Sequence, residues 1–404
     1  MKVVIAPDSF KECLSAVEVA SALAAGVVET SSQWSVDLCP LGDGGEGTVS
    51  ALVAATGGRF VDVDVYGPLG NTVRARFGLL GRPAGATLPG EVGLSAAVSQ
   101  AEGGSAAEGA GSQVAVIEMA SASGLALVPM EHRDPLQTTT FGTGQLILAA
   151  LDAGARELII GIGGSATVDG GCGCAQALGV VFIGRDGKPC VCGLAGGGLA
   201  DVESIDLTGR DGRVAMARIR VACDVTNPLT GPDGAARVYG PQKGATEEMV
   251  EVLEAGLAHL AEVILRATGQ DVQQMPGAGA AGGLGAGLVA FAGAMLEPGL
   301  PLIAGAVGLS KRLEGADLCI TGEGRLDRSS SFGKTAVGVA KIASEAGVPV
   351  ICVPGQADDD APRGLFAAVH PLTAGDVTVR QAMKQAEALL KMRAAQAVRE
   401  FFRR

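Results

Sequence analysis

Both ends of this chain alternate short apolar runs with stretches of helical periodicity, and the middle does not. Residues 2–6 and 36–39 read as strands, and residues 15–29 and 47–55 repeat apolar side chains at helical spacing. Towards the other end, strands are expected at 317–321 and 348–353, a helix at 335–345 and a charged helix at 379–402. Alternation of this kind predicts parallel strands covered by helices. Between these ends the pattern changes. Residues 59–66 and 72–80 read as two strands joined by the turn signal Gly67-Pro68-Leu69-Gly70-Asn71. Residues 84–113 are rich in Gly, Ala and Ser with little periodicity, which predicts a flexible surface insertion. Strands at 114–119 and 157–162, a helix at 143–153 and a long amphipathic helix at 246–266 follow. The expected fold class is α/β. Residues 1–80 and 288–404 would form one discontinuous parallel-sheet domain, and 81–287 an inserted mixed α/β domain.

Composition narrows the function classes. The formal charge is −12, a poor match for nucleic acid or anionic lipid. The opening run is too short for a secretory signal and meets Pro7-Asp8 at once, so a cytoplasmic protein is expected. Residues 277–296 lack charge over a membrane-spanning length, but the seven glycines among them favour a buried, Gly-rich helix. Cys172-Gly-Cys174 and Cys190-Val-Cys192 lack zinc's usual C-x₂-C spacing and read as small buried thiols, with a metal or redox role left open. The three histidines, His132, His259 and His370, lie outside the glycine-rich loops, which argues against His-based triads or metal sites.

Three loops carry the chemistry. Asp8-Ser9-Phe10-Lys11 follows the first strand, with an acid, a hydroxyl and a cation just before a helix; it is either an anion site or a capped turn. In Gly42-Asp43-Gly44-Gly45-Glu46-Gly47-Thr48, closely spaced glycines allow backbone to approach a ligand. The third, Gly161-Ile-Gly163-Gly164-Ser165-Ala166-Thr167-Val168-Asp169-Gly170-Gly171, follows an apolar strand and reads as an anion cradle with Asp169 pointing inward. Gly161-x-Gly163-x-x-Ala166 also fits a loose dinucleotide fingerprint, so a nicotinamide-dependent dehydrogenase is one alternative; a non-catalytic sensor of nucleotide or hydroxy acid is another. Further polar loops hold Thr140, Gly142 and Thr143; Asp224 and Asn227; Gln242 and Lys243; Glu323 and Arg325. Gly333-Lys334-Thr335 ends like a P-loop, but Arg328 stands where that motif begins with glycine. Acids, lysines, hydroxyls and glycine-rich loops are the parts phosphoryl transfer needs.

In order along the chain, these stretches resemble the type I glycerate kinase family. The likeness runs through Asp8-Ser9-Phe10-Lys11, Asp43 to Thr48, Glu118-Met119-Ala120, Thr139 to Gly144, Gly161 to Gly171, Asp224 to Leu229, Gly240 to Ala245, Pro276 to Gly287 and Thr321 to Asp327. It implies a discontinuous flavodoxin-like domain, an inserted mixed-sheet domain, ATP and Mg²⁺ as cofactors, and D-glycerate phosphorylated, usually on the 2-hydroxyl, by a monomer or homodimer. Val168, Ser329 to Ser331 and Ala336 depart from the family's usual residues, and residues 84–113 exceed its usual turn. On this reading Asp169, Lys11 and Asp43 are the candidate catalytic residues, with Asp169 preferred as base over Asp43 and Asp8. Asp8, Ser9, Gly44, Gly45, Glu46, Thr140, Gly142, Thr143, Gly163, Gly164, Ser165, Thr167, Gly170, Asp224, Asn227, Gln242, Lys243, Glu323, Arg325 and Lys334 are expected to bind substrate or nucleotide, and Asp8 and Asp224 to hold Mg²⁺.

Overall fold

The structure, a computed structural model, describes residues 1–81, 113–328, 330 and 335–403. Lys334 and residues 84–112 of the expected insertion lie outside the described residues; Gln113 starts a strand.

Two sheets organise the chain. The first has five strands, in the order Ala368–Val369, Val350–Cys352, Leu318–Thr321, Lys2–Ile5 and Ser35–Leu38, and every neighbouring pair is parallel. Counted along the chain, the spatial order is 2-1-3-4-5. Val3, Val4, Ile5, Leu318, Cys319 and Ile320 are wholly buried. Parallel central strands are covered on both faces, so an unbroken apolar run is what they require. On one face lie the helices Ala16–Thr30, Val379–Lys384 and Ala386–Phe402. On the other lie Thr48–Thr56, Gly299–Ala306 and Thr335–Glu345.

The second sheet has six strands, in the order Met295–Glu297, Arg218–Ala222, Ala155–Gly161, Gln113–Glu118, Thr72–Leu79 and Arg59–Tyr66. The first four run parallel and the last two antiparallel. Helices Phe141–Asp152, Cys172–Ala177 and Leu284–Ala292 cover one face. Its other face contributes Val114, Val116, Ile159 and Ala222 to the same apolar cluster that holds Val4, Ala6 and Cys39 from the first sheet. Leu52 and Leu300, from Thr48–Thr56 and Gly299–Ala306, also lie in that cluster. One continuous core therefore ties the sheets together, and the relative placement of their loops is fixed by packing.

Three expectations change. The hairpin 59–79 and the strand Met295–Glu297 join the mixed sheet, although the boundaries 1–80 and 288–404 had grouped them with the chain ends. Antiparallel pairing with Gln113–Glu118 sets Ala75, Phe77 and Leu79 in the mixed-sheet core, which explains their apolar character. Residues 277–296 do not form one helix: a 3₁₀ turn at Ala280–Gly283 precedes Leu284–Ala292, and glycines with positive φ at 277, 282, 283 and 293 divide the segment. The C-terminal helix is broken at Gln385. Among the described residues no helix is long and apolar enough to cross a membrane.

Candidate active-site cleft

The first sheet reverses its winding between Lys2–Ile5 and Leu318–Thr321. The helix after the former packs on one face, and the helix after the latter on the other. Ligands of open α/β sheets bind in the crevice at the strand carboxyl ends beside such a point. Asp8, Ser9, Phe10 and Lys11 leave one of these strand ends, and Glu323 and Arg325 leave the other. With Thr335 they line a cavity of about 400 Å³.

A second cavity, of about 500 Å³, opens at the carboxyl ends of the parallel strands of the mixed sheet. Gly44, Gly45, Glu46, Gly163, Gly164, Ser165, Asp224, Gln242 and Lys243 line it. Lys11 and Asp43 line both cavities, so the two are one cleft joined at this pair. The Lys11 ammonium stands 3.6 Å from Asp43 Oδ2, an exposed pairing of little intrinsic strength that leaves both groups available. Asp43 Oδ1 accepts from the Gly45 N–H at 2.9 Å, which fixes the loop.

Residues 3–402 match the glycerate kinase family. The chain belongs to that family. It is 44% identical to a glycerate kinase of Halalkalibacterium halodurans, over 97% of this chain and 96% of that protein. It is 47% identical to the glycerate 2-kinase of Escherichia coli K12, over 89% of this chain and 86% of that one. A crystal structure from Salmonella typhimurium LT2, provisionally described as glycerate kinase 2, superposes with a TM-score of 0.84 at 45% identity, covering 99% of this chain and 98% of its own. Membership of a kinase family implies use of ATP.

Within this kinase fold the cleft carries an acidic, partly buried floor. Asp8 Oδ2 accepts from Thr335 Oγ1 at 2.6 Å and Oδ1 from the Ser9 N–H at 2.6 Å. Burial pushes the Asp8 carboxyl above the usual carboxylate range, and the charge of Asp43 adds to this. Asp224 Oδ1 accepts from the Gly299 N–H at 2.7 Å; burial raises it as well, with Asp43 again contributing. Two carboxyls raised by burial and by a common neighbour's charge are hard oxygen donors with an electrostatic demand for a cation, so they fit Mg²⁺. Among the described residues no three His, Cys, Asp or Glu side chains are grouped to hold a metal ion alone.

Several expected site residues lie beneath the cleft. Asp169 is wholly buried and lines neither cavity. Its Oδ2 accepts from Thr140 N and Oγ1, both at 2.7 Å, and from Gly173 N at 3.3 Å, while Oδ1 accepts from Gly171 N at 3.1 Å. Asp169, the preferred base, thus meets the donors of its own loop and of Thr140 rather than either cavity. Burial also raises its pKa against the pull of its donors. Asp169→Asn should lower thermal stability, because its amide N–H₂ or the Gly171 N–H loses its partner; such a mismatch costs about 1–3 kcal/mol. A thermal shift with kcat held within a few fold is the expected result, and a large kcat loss without destabilisation would restore Asp169 to the chemistry.

Thr140, Gly142, Thr143, Thr167 and Gly170 likewise line neither of these two cavities. Thr143 Oγ1 shares a 2.8 Å hydrogen bond with Ser123 Oγ, and a side chain at Gly142 would collide with the Tyr66 carbonyl. Gly170 packs beneath Leu260. Asn227 accepts from the Tyr239 hydroxyl at 2.7 Å, and Tyr239 rather than Asn227 reaches the cleft. Lys243 is buried in the cleft wall and donates to Ser165 Oγ and the Thr167 carbonyl, both at 2.7 Å; desolvation lowers its pKa to about 7. Arg325 reaches the rim, held by Asp358 at 2.7 Å. Besides lining the cavity, the second loop packs against the third. A side chain at Gly161 would lie 2.2 Å from the Gly44 carbonyl, so these glycines bring backbone onto backbone. Glu118 accepts from the Val49 N–H at 2.7 Å at the start of the following helix and occupies that anion position itself. The dinucleotide fingerprint also fails: residues 162–171 separate the strand end at Gly161 from the helix start at Cys172, too long for its tight turn.

Sequence reasoning did not find Tyr239, Val225 and Leu125 in one cavity wall, nor Leu372, Ala382 and Met383 in the other. None is itself an acid, a lysine or a glycine, the residue types that mark the loops. Ala281 carries a visible signal only in the fold, a φ of 53° in the cleft wall.

Proposed function

We propose that this chain transfers the γ-phosphoryl group of ATP to D-glycerate, with the 2-hydroxyl as the favoured acceptor, and releases ADP. The observation that carries this is the junction at Lys11 and Asp43, where two cavities meet beside an exposed cation and an exposed carboxylate. The family relatives support the substrate. In the proposed step the glycerate oxygen bonds to the γ-phosphorus, the bond from that phosphorus to the β,γ-bridging oxygen breaks, and the hydroxyl proton passes to Asp43. Lys11 neutralises charge on the transferring group. Asp8 and Asp224 would hold Mg²⁺, which when bound supplies further neutralisation of the phosphate oxygens.

The 2-1-3-4-5 order supports a flavodoxin-like domain built from both chain ends, and the mixed sheet from Arg59 to Glu297 supports an inserted domain. On this reading the cleft lies between them, and phosphoryl transfer occurs where their loops touch.

A coupled assay for ADP with D-glycerate, followed by phosphorus NMR of the product, tests the reading. ADP release dependent on D-glycerate, with a 2-phosphoglycerate signal, is expected. A 3-phosphoglycerate signal overturns the choice of hydroxyl, and absence of D-glycerate-dependent ADP overturns the substrate.

A further inference from the structure

The two cavities differ in chemistry. The one at the winding reversal of the first sheet is walled by Phe10, Leu372, Val379, Ala382, Met383 and Ala386. Phe10, Leu372, Ala382 and Ala386 are buried there, while Val379 and Met383 stand half exposed at the rim. The short helix Val379–Lys384 forms one side, and Cys13 Sγ donates to the Met383 carbonyl at 3.3 Å, tying this helix to the loop after the first strand. Opposite this apolar wall stand Asp8, Ser9, Lys11, Glu323, Arg325 and Thr335, and Lys11 leads on to the second cavity. That second cavity also has apolar wall residues, Leu125, Ile162 and Val225, but it is the more polar of the two, with Glu46, Ser165, Asp224, Gln242 and Lys243 around loop backbone.

A three-carbon hydroxy acid carries oxygen on every carbon and gains nothing from an apolar wall. A purine has two broad apolar faces and a narrow polar edge, and burial of such surface is worth roughly 25 cal/mol per Å². The about 400 Å³ of the apolar cavity suits a nucleoside. From it, a phosphate tail directed inward passes Ser9 and reaches Lys11. We infer that the cavity between the first-strand loop and the helix Val379–Lys384 is the nucleoside site of the ATP, and that the polar cavity beyond Lys11 and Asp43 takes the hydroxy acid. This rests on the ATP-dependent reading above and adds which cavity holds which substrate. It gives the C-terminal helices, which hold no chemical motif, a part in selecting the nucleotide.

Three measurements test it. Ala382→Leu fills the apolar cavity. It should raise the KM for ATP about tenfold or more, the scale on which a pocket senses extra methylenes, with the KM for D-glycerate changed less than about twofold. Met383→Ala opens the rim and should improve use of an ATP analogue enlarged at N6 relative to ATP. In the unaltered protein, ADP should slow maleimide labelling of Cys13, read from its peptide mass, and D-glycerate alone should not. The labelling needs neither turnover nor a variant that folds. A rise in the KM for D-glycerate with that for ATP unchanged in Ala382→Leu overturns the assignment, as does labelling of Cys13 that D-glycerate slows and ADP does not. If ADP protects Cys13 while no phosphoglycerate forms, the nucleoside site stands and the substrate reading falls. If phosphoglycerate forms and ADP gives no protection, the reaction stands and the nucleoside site falls.

Discussion

Asp43→Asn is expected to lower kcat by about 10²–10⁴, the range that general-base assistance supplies, while leaving the fold intact. The substitution is nearly isosteric, and the Asn carbonyl can still accept the 2.9 Å hydrogen bond from Gly45 that shapes the loop. What disappears is the second oxygen, which faces Lys11 across the meeting point of the two cavities and is free to take a proton. Stability should change little, because an exposed pair at 3.6 Å is worth under about 1 kcal/mol. A second consequence separates loss of the base from loss of shape. Asp8 and Asp224 are raised first by burial and then in part by the charge of Asp43. Once Asp43 is neutral, both carboxyls become easier to ionise, so the acid limb of the residual activity should move to lower pH. Steady-state kinetics across pH would read both effects. If Asp43→Asn keeps more than about a tenth of kcat, the hydroxyl proton goes elsewhere, and Asp8, which lines the same cavity as Lys11, is the next carboxylate to substitute.

Much of this architecture is legible in the sequence because parallel strands and strand-end loops have strong local signatures. The buried runs at 2–6 and 317–321 announce central strands, and Ser15 and Glu18 form the capping box that starts the first helix. Asp8, Lys11, Asp43, Ser165, Asp224 and Lys243 reach the cleft as their loops suggest. What fails is depth. In Gly161 to Gly171, spacing alone does not distinguish Ser165, which lines the cavity, from Asp169, four residues on and sealed beneath it. Their difference arises from the local donors of Gly171 and Gly173 together with those of Thr140, brought in by a helix start 29 residues earlier in the chain. The hairpin at 59–79 is misassigned for a related reason: its alternation fixes a strand but not the sheet it joins. Leu372, Ala382, Met383 and Ala386 are apolar types that mark no site in a sequence, and only the fold brings them opposite Phe10.

The glycines of the second and third loops lead to the other large effect. Gly161→Ala should cut kcat/KM by about 10²-fold, although the residue touches no substrate in the proposed reaction. Its added Cβ would stand 2.2 Å from the Gly44 carbonyl oxygen and 3.0 Å from the Gly44 carbonyl carbon, both backbone atoms. Neither can rotate away as a flexible side chain would. Retreat of Gly44 is also obstructed, because its backbone holds φ at +88° and already lies close against Ala222. The loops must therefore separate, and Asp43, next to Gly44, moves away from Gly163, Gly164 and Ser165 across the cleft. A displacement near 1 Å between reacting groups costs about two orders of magnitude in rate. Overpacking of this kind also costs about 1–3 kcal/mol, so the protein should remain folded with a modest fall in Tm. Gly364→Ala is the matched control: a side chain there meets no atom within 4 Å, and both Tm and kcat/KM should stay near those of the unaltered protein. If Gly161→Ala keeps more than about half of its kcat/KM while Tm falls as expected, the contact between the two loops is structural only, and the alignment of Asp43 with the polar cavity does not depend on it.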